Sequence, residues 1–248
     1  MDKVSISIIT VCFNSACTIE QTIQSVLQQS YSNIEYIVID GKSTDGTIEI
    51  ANKYLSRLAA FVSEPDLGIY DAMNKGIKYA TGDIIGILNS DDVFFDRDVL
   101  TKVASAFAIQ NTDVVYGNIV ISSQANMNNH IRKWIAGKRK SFTWGWHPPH
   151  PGVFVKKTIY DVYGKYNINY KVSADFDLLL RLFEVNKVSY YYLNEFIVNM
   201  RMGGESTGSI KKILSGNINI RKSFKANRVP YLWVYPYLRF LKKLLQFI

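Results

Sequence analysis

Four consecutive polar residues, Asn89, Ser90, Asp91 and Asp92, follow the apolar run Ile84 to Leu88 in the segment GDIIGILNSDD. Four apolar positions in five without alternation are the pattern of a strand buried on both faces of a parallel sheet, and ligands bind at the carboxyl ends of such strands. Two neighbouring carboxylates there repel each other at neutral pH, and a divalent cation bridging to a phosphate relieves that repulsion. An Asp-rich turn in which Asp92 or Asp96 caps a helix starting near Asp98 would use the same residues. Further groups able to do chemistry are Asp40 at the end of a second apolar run, Lys75 in AspAlaMetAsnLysGly, His147 and His150 flanking two prolines, and Asp175 and Asp177 opening an apolar helical stretch.

The elements that must carry these groups alternate. Ser5 to Phe13 and Ile34 to Ile39 read as strands, Ala60 to Ser63 as a shorter one, and helical spacing runs from Ile19, through Thr47 to Leu55, and from Ile69 to Tyr79. Thr18 to Gln21 has the spacing of a capping box. Strands separated by helices of this length specify a doubly wound, mostly parallel sheet. After Asp92 the alternation loosens. Val99 to Phe107 reads as a helix, Val114 to Tyr116, Ile119 to Ser122 and Val153 to Val155 as short strands, and Ser173 to Glu184 as a helix. Between them, Gln124 to Asn129 reads as a polar loop and Trp134 to Gly152, rich in aromatics, His and Pro, as an ordered irregular loop. Soft boundaries near residues 120 and 206 divide the chain into regions 1–120, 121–205 and 206–248.

Charge is segregated. The net charge of the 248 residues is +8, yet nine Lys and Arg and no acid follow Glu205, so residues 1–205 hold 20 bases against 21 acids. That argues against a nucleic-acid-binding body and for a basic tail that meets something anionic. Two cysteines, Cys12 and Cys17, without a wider framework read as free thiols of a reducing compartment. MDKVSISIITVCF carries no basic n-region or cleavage site, so the body is expected in the cytoplasm.

The strings SIITVCFN, YIVIDGKSTDGT, EPDLGIYDAMNKGIKYATGDIIGILNSDD, HPGVFVKK and SADFDLLLRL, in this order over roughly residues 4 to 205, resemble the family 2 inverting glycosyltransferases of GT-A fold that build bacterial surface polysaccharides such as O-antigen and capsule. The resemblance implies a Rossmann-like α/β fold, with nucleotide-sugar binding in residues 1–120, a smaller acceptor-side region and a helical tail. It implies that Asp40 hydrogen-bonds the base, a carboxylate being able to accept from the imide N–H of uracil, and that Phe13 and the backbone of Val11 hold the base. Asp66, Asn74 and Lys75 fall in the most family-like run; Lys75 either adds positive charge near the phosphates or is an ordinary surface lysine. Ser90, Asp91 and Asp92 stand where the family has its DxD-type motif, which assigns Mg2+ or Mn2+ directly to Asp92 and the ribose or metal shell to Asp91. Asp175 matches the catalytic base, although Ala174 replaces the first acid of the usual pair. Asp177 is the runner-up base. For His150, which matches a recurring family His, a metal ligand, a donor-sugar contact and a structural hydrogen bond all stay open.

The resulting expectation is a metal-dependent hexosyl- or N-acetylhexosaminyltransferase using a UDP-linked or other nucleotide-diphospho-sugar and a lipid-linked oligosaccharide acceptor. Gly203 to Ser206 either closes over the donor or simply ends the domain. Arg239, Lys242, Lys243 and Gln246 form one stripe of a final helix whose other faces are apolar, preceded by Tyr231, Trp233, Tyr235 and Tyr237. This reads as an in-plane helix on an anionic membrane, placing the protein peripherally on the inner face of the cell membrane. Packing of that helix on its own domain or in a homo-oligomer is the alternative. A catalytically silent GT-A scaffold in a polysaccharide assembly complex competes with the enzyme reading, supported by the acid missing before Asp175. A nucleotidyltransferase or a dinucleotide-dependent dehydrogenase would need a Gly-rich phosphate loop after the first strand, where this chain has CysPheAsnSerAlaCys.

Overall fold

The computed structural model describes residues 4–203, 210–232 and 235. Its first half is a parallel sheet. Strands β1 (Ile6–Cys12), β2 (Ile34–Asp40), β3 (Ala60–Ser63) and β4 (Ile84–Ile87) lie in the order β3-β2-β1-β4, connected by helices α1 (Ile19–Leu27), α2 (Thr47–Asn52) and α3 (Ile69–Tyr79). Side chains of β1 alternate as strand geometry requires. Ile9 and Val11 join a core with Met73 and Ile77 of α3, whereas Ile6 and Ile8 join one with Ile19 and Ile23 of α1. The capping box does not form: the amides of Thr18 and Ile19 both turn to the Ser15 carbonyl, at 3.0 and 2.9 Å.

Beyond β4 the sheet becomes mixed. The chain adds β5 (Val93–Phe94), α4 (Val99–Gln110), β6 (Val114–Ser122), β7 (His130–Trp134), β8 (Val153–Lys156), α5 (Lys157–Tyr163), α6 (Ala174–Leu180), β9 (Tyr190–Arg201) and α7 (Ile210–Ala226). A π-helical turn, Arg181–Val185, prolongs α6. Strand β8 runs antiparallel between β4 and β6, while β9 runs parallel to β6 and antiparallel to β5. The two short strands expected around Gly117 are thus one, and residue 120 lies inside it. The long strand β9 and helix α5 were not legible in the sequence. Because β8 is antiparallel to β4, its leading residues His150 to Gly152 arrive at the same sheet edge as Asn89 to Asp92. Helix α7 packs its Ile220 and Phe224 into the core that also holds Phe176 of α6. The expected final helix over 238–248 and most of the Gly203 to Ser206 segment lie outside the described residues.

Candidate active site

Parallel β1 to β4 send their carboxyl ends to one edge, and three groups converge there at the end of β1. Phe13 is 63% exposed, so its ring is not part of the core. A Cβ on Gly41 would stand 2.5 Å from Asp66 Oδ2 and 3.3 Å from the Phe13 ring. The bare glycine therefore lets the Asp66 carboxylate and the Phe13 ring approach the same backbone. Asp66 is kept in place by the Gly68 amide, 2.8 Å from Oδ1. The last rung between β1 and β4 runs from the Leu88 amide to the Ile9 carbonyl at 2.9 Å. By strand alternation the peptide groups of Val11 point the same way, past the point where β4 has turned aside. Aromatic face, carboxylate and unused main-chain groups together make a slot suited to a planar heterocycle.

The turn after β4 separates its two acids. Asp92 is 1% exposed; its Oδ1 accepts from the Arg201 amide at 3.0 Å and its Oδ2 from Asn89 Nδ2 at 3.2 Å. Asp91 is half-buried, and its carboxylate accepts from no other described residue. Burial holds the Asp91 carboxyl above the usual range, opposed by the Arg201 charge. Burial followed by the Asp91 charge pushes Asp92 well above it. Asn89 Oδ1 is buried without a hydrogen-bond partner. Arg201 closes this corner: Nε donates to the Asp91 carbonyl at 3.4 Å, Nη1 to the Gln124 carbonyl at 2.5 Å and Nη2 to Gln21 at 2.9 Å.

Asp175 sits in the first turn of α6, half-buried. Tyr70 donates its hydroxyl to Asp175 Oδ1 at 3.0 Å and stacks on Tyr166 with ring centroids 5.7 Å apart. Burial, then the Asp175 charge, raises the Tyr70 hydroxyl well above its ordinary range, so it remains a donor. The Tyr166 hydroxyl meets His150 Nε2 at 2.6 Å. Burial lowers His150 below its ordinary 6.5, partly offset by the Asp175 charge.

The sequence matches glycosyl transferase family 2 over residues 7–167. The chain belongs to glycosyl transferase family 2. A PGL/p-HBAD biosynthesis glycosyltransferase of Mycobacterium tuberculosis is 28% identical over 211 residues, 83% of this chain and 80% of the relative. In fold, the chain is similar to S. aureus TarS 1–349 in complex with UDP, with a TM-score of 0.67 at 15% identity over 94% of this chain and 68% of that one. Against a longer TarS chain the match spans 36% of that chain's length. The mannosyltransferase PcManGT from Pyrobaculum calidifontis, in complex with GDP-Man and Mn2+, has a TM-score of 0.67 at 16% identity, covering 97% of this chain and 69% of that one.

Several residues singled out by resemblance face inward in this glycosyltransferase. Asp40 is fully buried, and its carboxylate is taken by the Ser43 amide at 3.0 Å, the Ser43 hydroxyl at 2.5 Å and the Ser63 hydroxyl at 2.7 Å. It ties the ends of β2 and β3 together, and Asp66 is the more open carboxylate there. Asp92 is likewise hydrogen-bonded within its own turn and to β9, which leaves Asp91 as the more outward-facing of the two carboxylates. Lys75 pairs with Glu64 at 2.9 Å and donates to the Pro65 carbonyl at 2.7 Å, fastening the loop that presents Asp66. Asn74 brackets the main chain of Tyr166, donating to its carbonyl at 2.9 Å and accepting from its amide at 3.0 Å. Asp177 is buried against Arg181, Ser223 and Asn227 and is less accessible than Asp175. His150 has a structural hydrogen bond through one ring nitrogen. Tyr70, Tyr166 and Arg201 were missed. Tyr70 lies inside the quoted EPDLGIYDAMNKG string, but Tyr166 and Arg201 follow no pattern that marks them.

Proposed function

We propose that the protein is an inverting, metal-dependent transferase that moves a hexosyl or N-acetylhexosaminyl group from a UDP-sugar to a lipid-linked surface-polysaccharide acceptor at the cytoplasmic face of the membrane. The observation that carries this reading is the Asp175 carboxylate, half-buried with one oxygen tethered by Tyr70 at 3.0 Å. The second oxygen takes no hydrogen bond from another described residue and is free to accept the acceptor hydroxyl's proton as that oxygen attacks the anomeric carbon. A single base opposite the leaving group gives direct displacement with inversion. In the base slot, Phe13 would stack on uracil, Asp66 would accept from its imide N–H and Val11 would bond it through the main chain.

The residues present fit a divalent cation. Among the described residues no three His, Cys, Asp or Glu side chains gather to hold one. Mg2+ and Mn2+ in such sites need only one or two carboxylates, with the rest of the shell from diphosphate oxygens and water. Asp91 and the orphaned Asn89 Oδ1 would supply the protein's share. When bound, the ion would neutralise charge on the leaving nucleoside diphosphate. Support for a lipid-linked acceptor comes from the acid-free basic segment after Glu205. No helix among the described residues is long and apolar enough to cross a membrane, which is compatible with peripheral attachment.

Titration calorimetry with UDP, GDP and dTDP, each with and without Mn2+, tests the reading. UDP binding that requires Mn2+ and is lost in Asp91→Ala is expected. Metal-independent binding that survives Asp91→Ala would remove the assigned metal role.

A further inference from the structure

Helix α7 has two unlike faces. Ile220 and Phe224 are buried against the core, and Asn219 and Ser223 with them. The opposite face carries Leu214, 58% exposed, and Ile218, 54% exposed, with Arg221, Lys222 and Lys225 all exposed beside them. At 100° per residue, positions 214, 218, 221, 222 and 225 fall within one arc of the helix. Two large aliphatic side chains flanked by three cations, on a helix without an acid, have no hydrogen-bond or ion-pair partner among the described residues. The whole chain after Glu205 lacks acids, so this face meets no internal counter-charge from its own segment.

We infer that the outer face of α7 is a membrane-docking surface that lies in the plane of an anionic bilayer, Leu214 and Ile218 entering the interface while Arg221, Lys222 and Lys225 pair with lipid phosphates. Charge complementarity selects this occupant over a zwitterionic surface, and the central aliphatic pair suits an interface better than a nucleic acid backbone. The inner face gives the contact a direction. Asn219 Nδ2 donates to the Val172 carbonyl at 2.9 Å, and Ser223 Oγ donates to Asp177 Oδ1 at 2.6 Å. These bonds bracket Asp175, so a bilayer under α7 is held at a fixed distance from the proposed base. A lipid-linked acceptor would then reach Asp175 from the α7 side. That last consequence rests on the glycosyl-transfer reading; adsorption itself is measured without any transfer.

The full chain is co-sedimented with vesicles of phosphatidylcholine and of phosphatidylcholine mixed with an equal part of phosphatidylglycerol. Binding to the anionic vesicles only, weakened by salt, is expected. Replacing Arg221, Lys222 and Lys225 together by Glu should lower the partition coefficient on the order of 100-fold or more, each basic side chain contributing about 1 kcal/mol, or fivefold. Leu214→Ser with Ile218→Ser should weaken binding at high salt most. All five positions are exposed, so both variants keep the wild-type melting temperature. Absence of anionic-vesicle binding by the wild-type chain, or binding that neither variant changes, would overturn the assignment. So would a dimer that the same variants dissociate in the absence of vesicle binding.

Discussion

Asp177→Ala should unfold the protein more readily, whereas Asp175→Asn should silence it while leaving it folded. Asp177 is 3% exposed and accepts from Arg181 Nε at 3.0 Å, Ser223 Oγ at 2.6 Å and Asn227 Nδ2 at 3.1 Å. Its removal leaves the Arg181 guanidinium without its carboxylate and the Ser223 hydroxyl of α7 without its acceptor, while Asn227, just past α7, keeps the Ser223 carbonyl at 2.9 Å. Breaking a buried pair by deleting one partner costs about 3–5 kcal/mol. Arg181 still donates to the carbonyls of Tyr163 and Lys165, at 2.6 and 2.5 Å, so the loss belongs at the lower end, about 3 kcal/mol. For a chain of this size that corresponds to a melting temperature lower by roughly 6–12 °C. Asp175→Asn keeps an amide oxygen that can accept from Tyr70 and so only weakens that bond at a half-buried site, at a cost of about 1 kcal/mol at most, yet it removes the proposed base and should cut transfer about 100-fold or more. Urea and thermal unfolding followed by tryptophan fluorescence, beside donor-turnover assays, measure both quantities. An Asp177→Ala protein that melts with the wild type but transfers no sugar would refute the reasoning and make Asp177 the base.

Tyr70→Phe keeps the ring that stacks on Tyr166 and removes only the donor to Asp175; kcat should fall about tenfold with donor KM unchanged, and an unchanged kcat would show that the hydroxyl does not orient the base. Phe13→Ala should raise the UDP dissociation constant by about tenfold, the worth of one lost base stack, without lowering the melting temperature, since the ring is 63% exposed; equal UDP affinity would remove it from the base slot. Cys12 is buried and Cys17 exposed, and burial together with the Asp40 charge pushes the Cys12 thiol far up. A thiol reagent at pH 8 should therefore label only Cys17 in the native protein and both in urea, and native labelling of Cys12 would show that β1 opens.

The parallel half of the fold was legible because each of its strands is a run of apolar residues too short to be a helix, and because the helices between them repeat at helical spacing. Ile69 to Tyr79 was read with both ends correct. The mixed half was not. Gly117 reads as a break in a strand, yet β6 is continuous because the missing side chain makes room for Ile197 of β9, a close approach that only glycine permits. Strand β9 itself places three tyrosines and two polar residues before its apolar stretch, a pattern without clean alternation. Missing β9 also explains why the inward turn of Asp92 rather than Asp91 was not foreseen. The two are chemically identical neighbours, and which of them turns inward is decided by the Arg201 amide, a donor that exists only once β9 is in place. The inward turn of Asp40 has the same origin: its partners Ser43 and Ser63 come from a loop and from β3, and nothing in their spacing announces that they saturate a carboxylate.

The bond from the Arg201 amide to Asp92 joins residues 109 positions apart. While the polypeptide is being synthesised, the donor-side turn is made early and its sealing strand comes more than a hundred residues later. A nascent chain halted between these points would hold the parallel half-sheet with a buried carboxylate still lacking its main-chain donor. Closing so long a segment is slow relative to local pairing, so the Asp92 turn takes its final form late in folding, together with the strand that completes the sheet rather than with the parallel strands beside it.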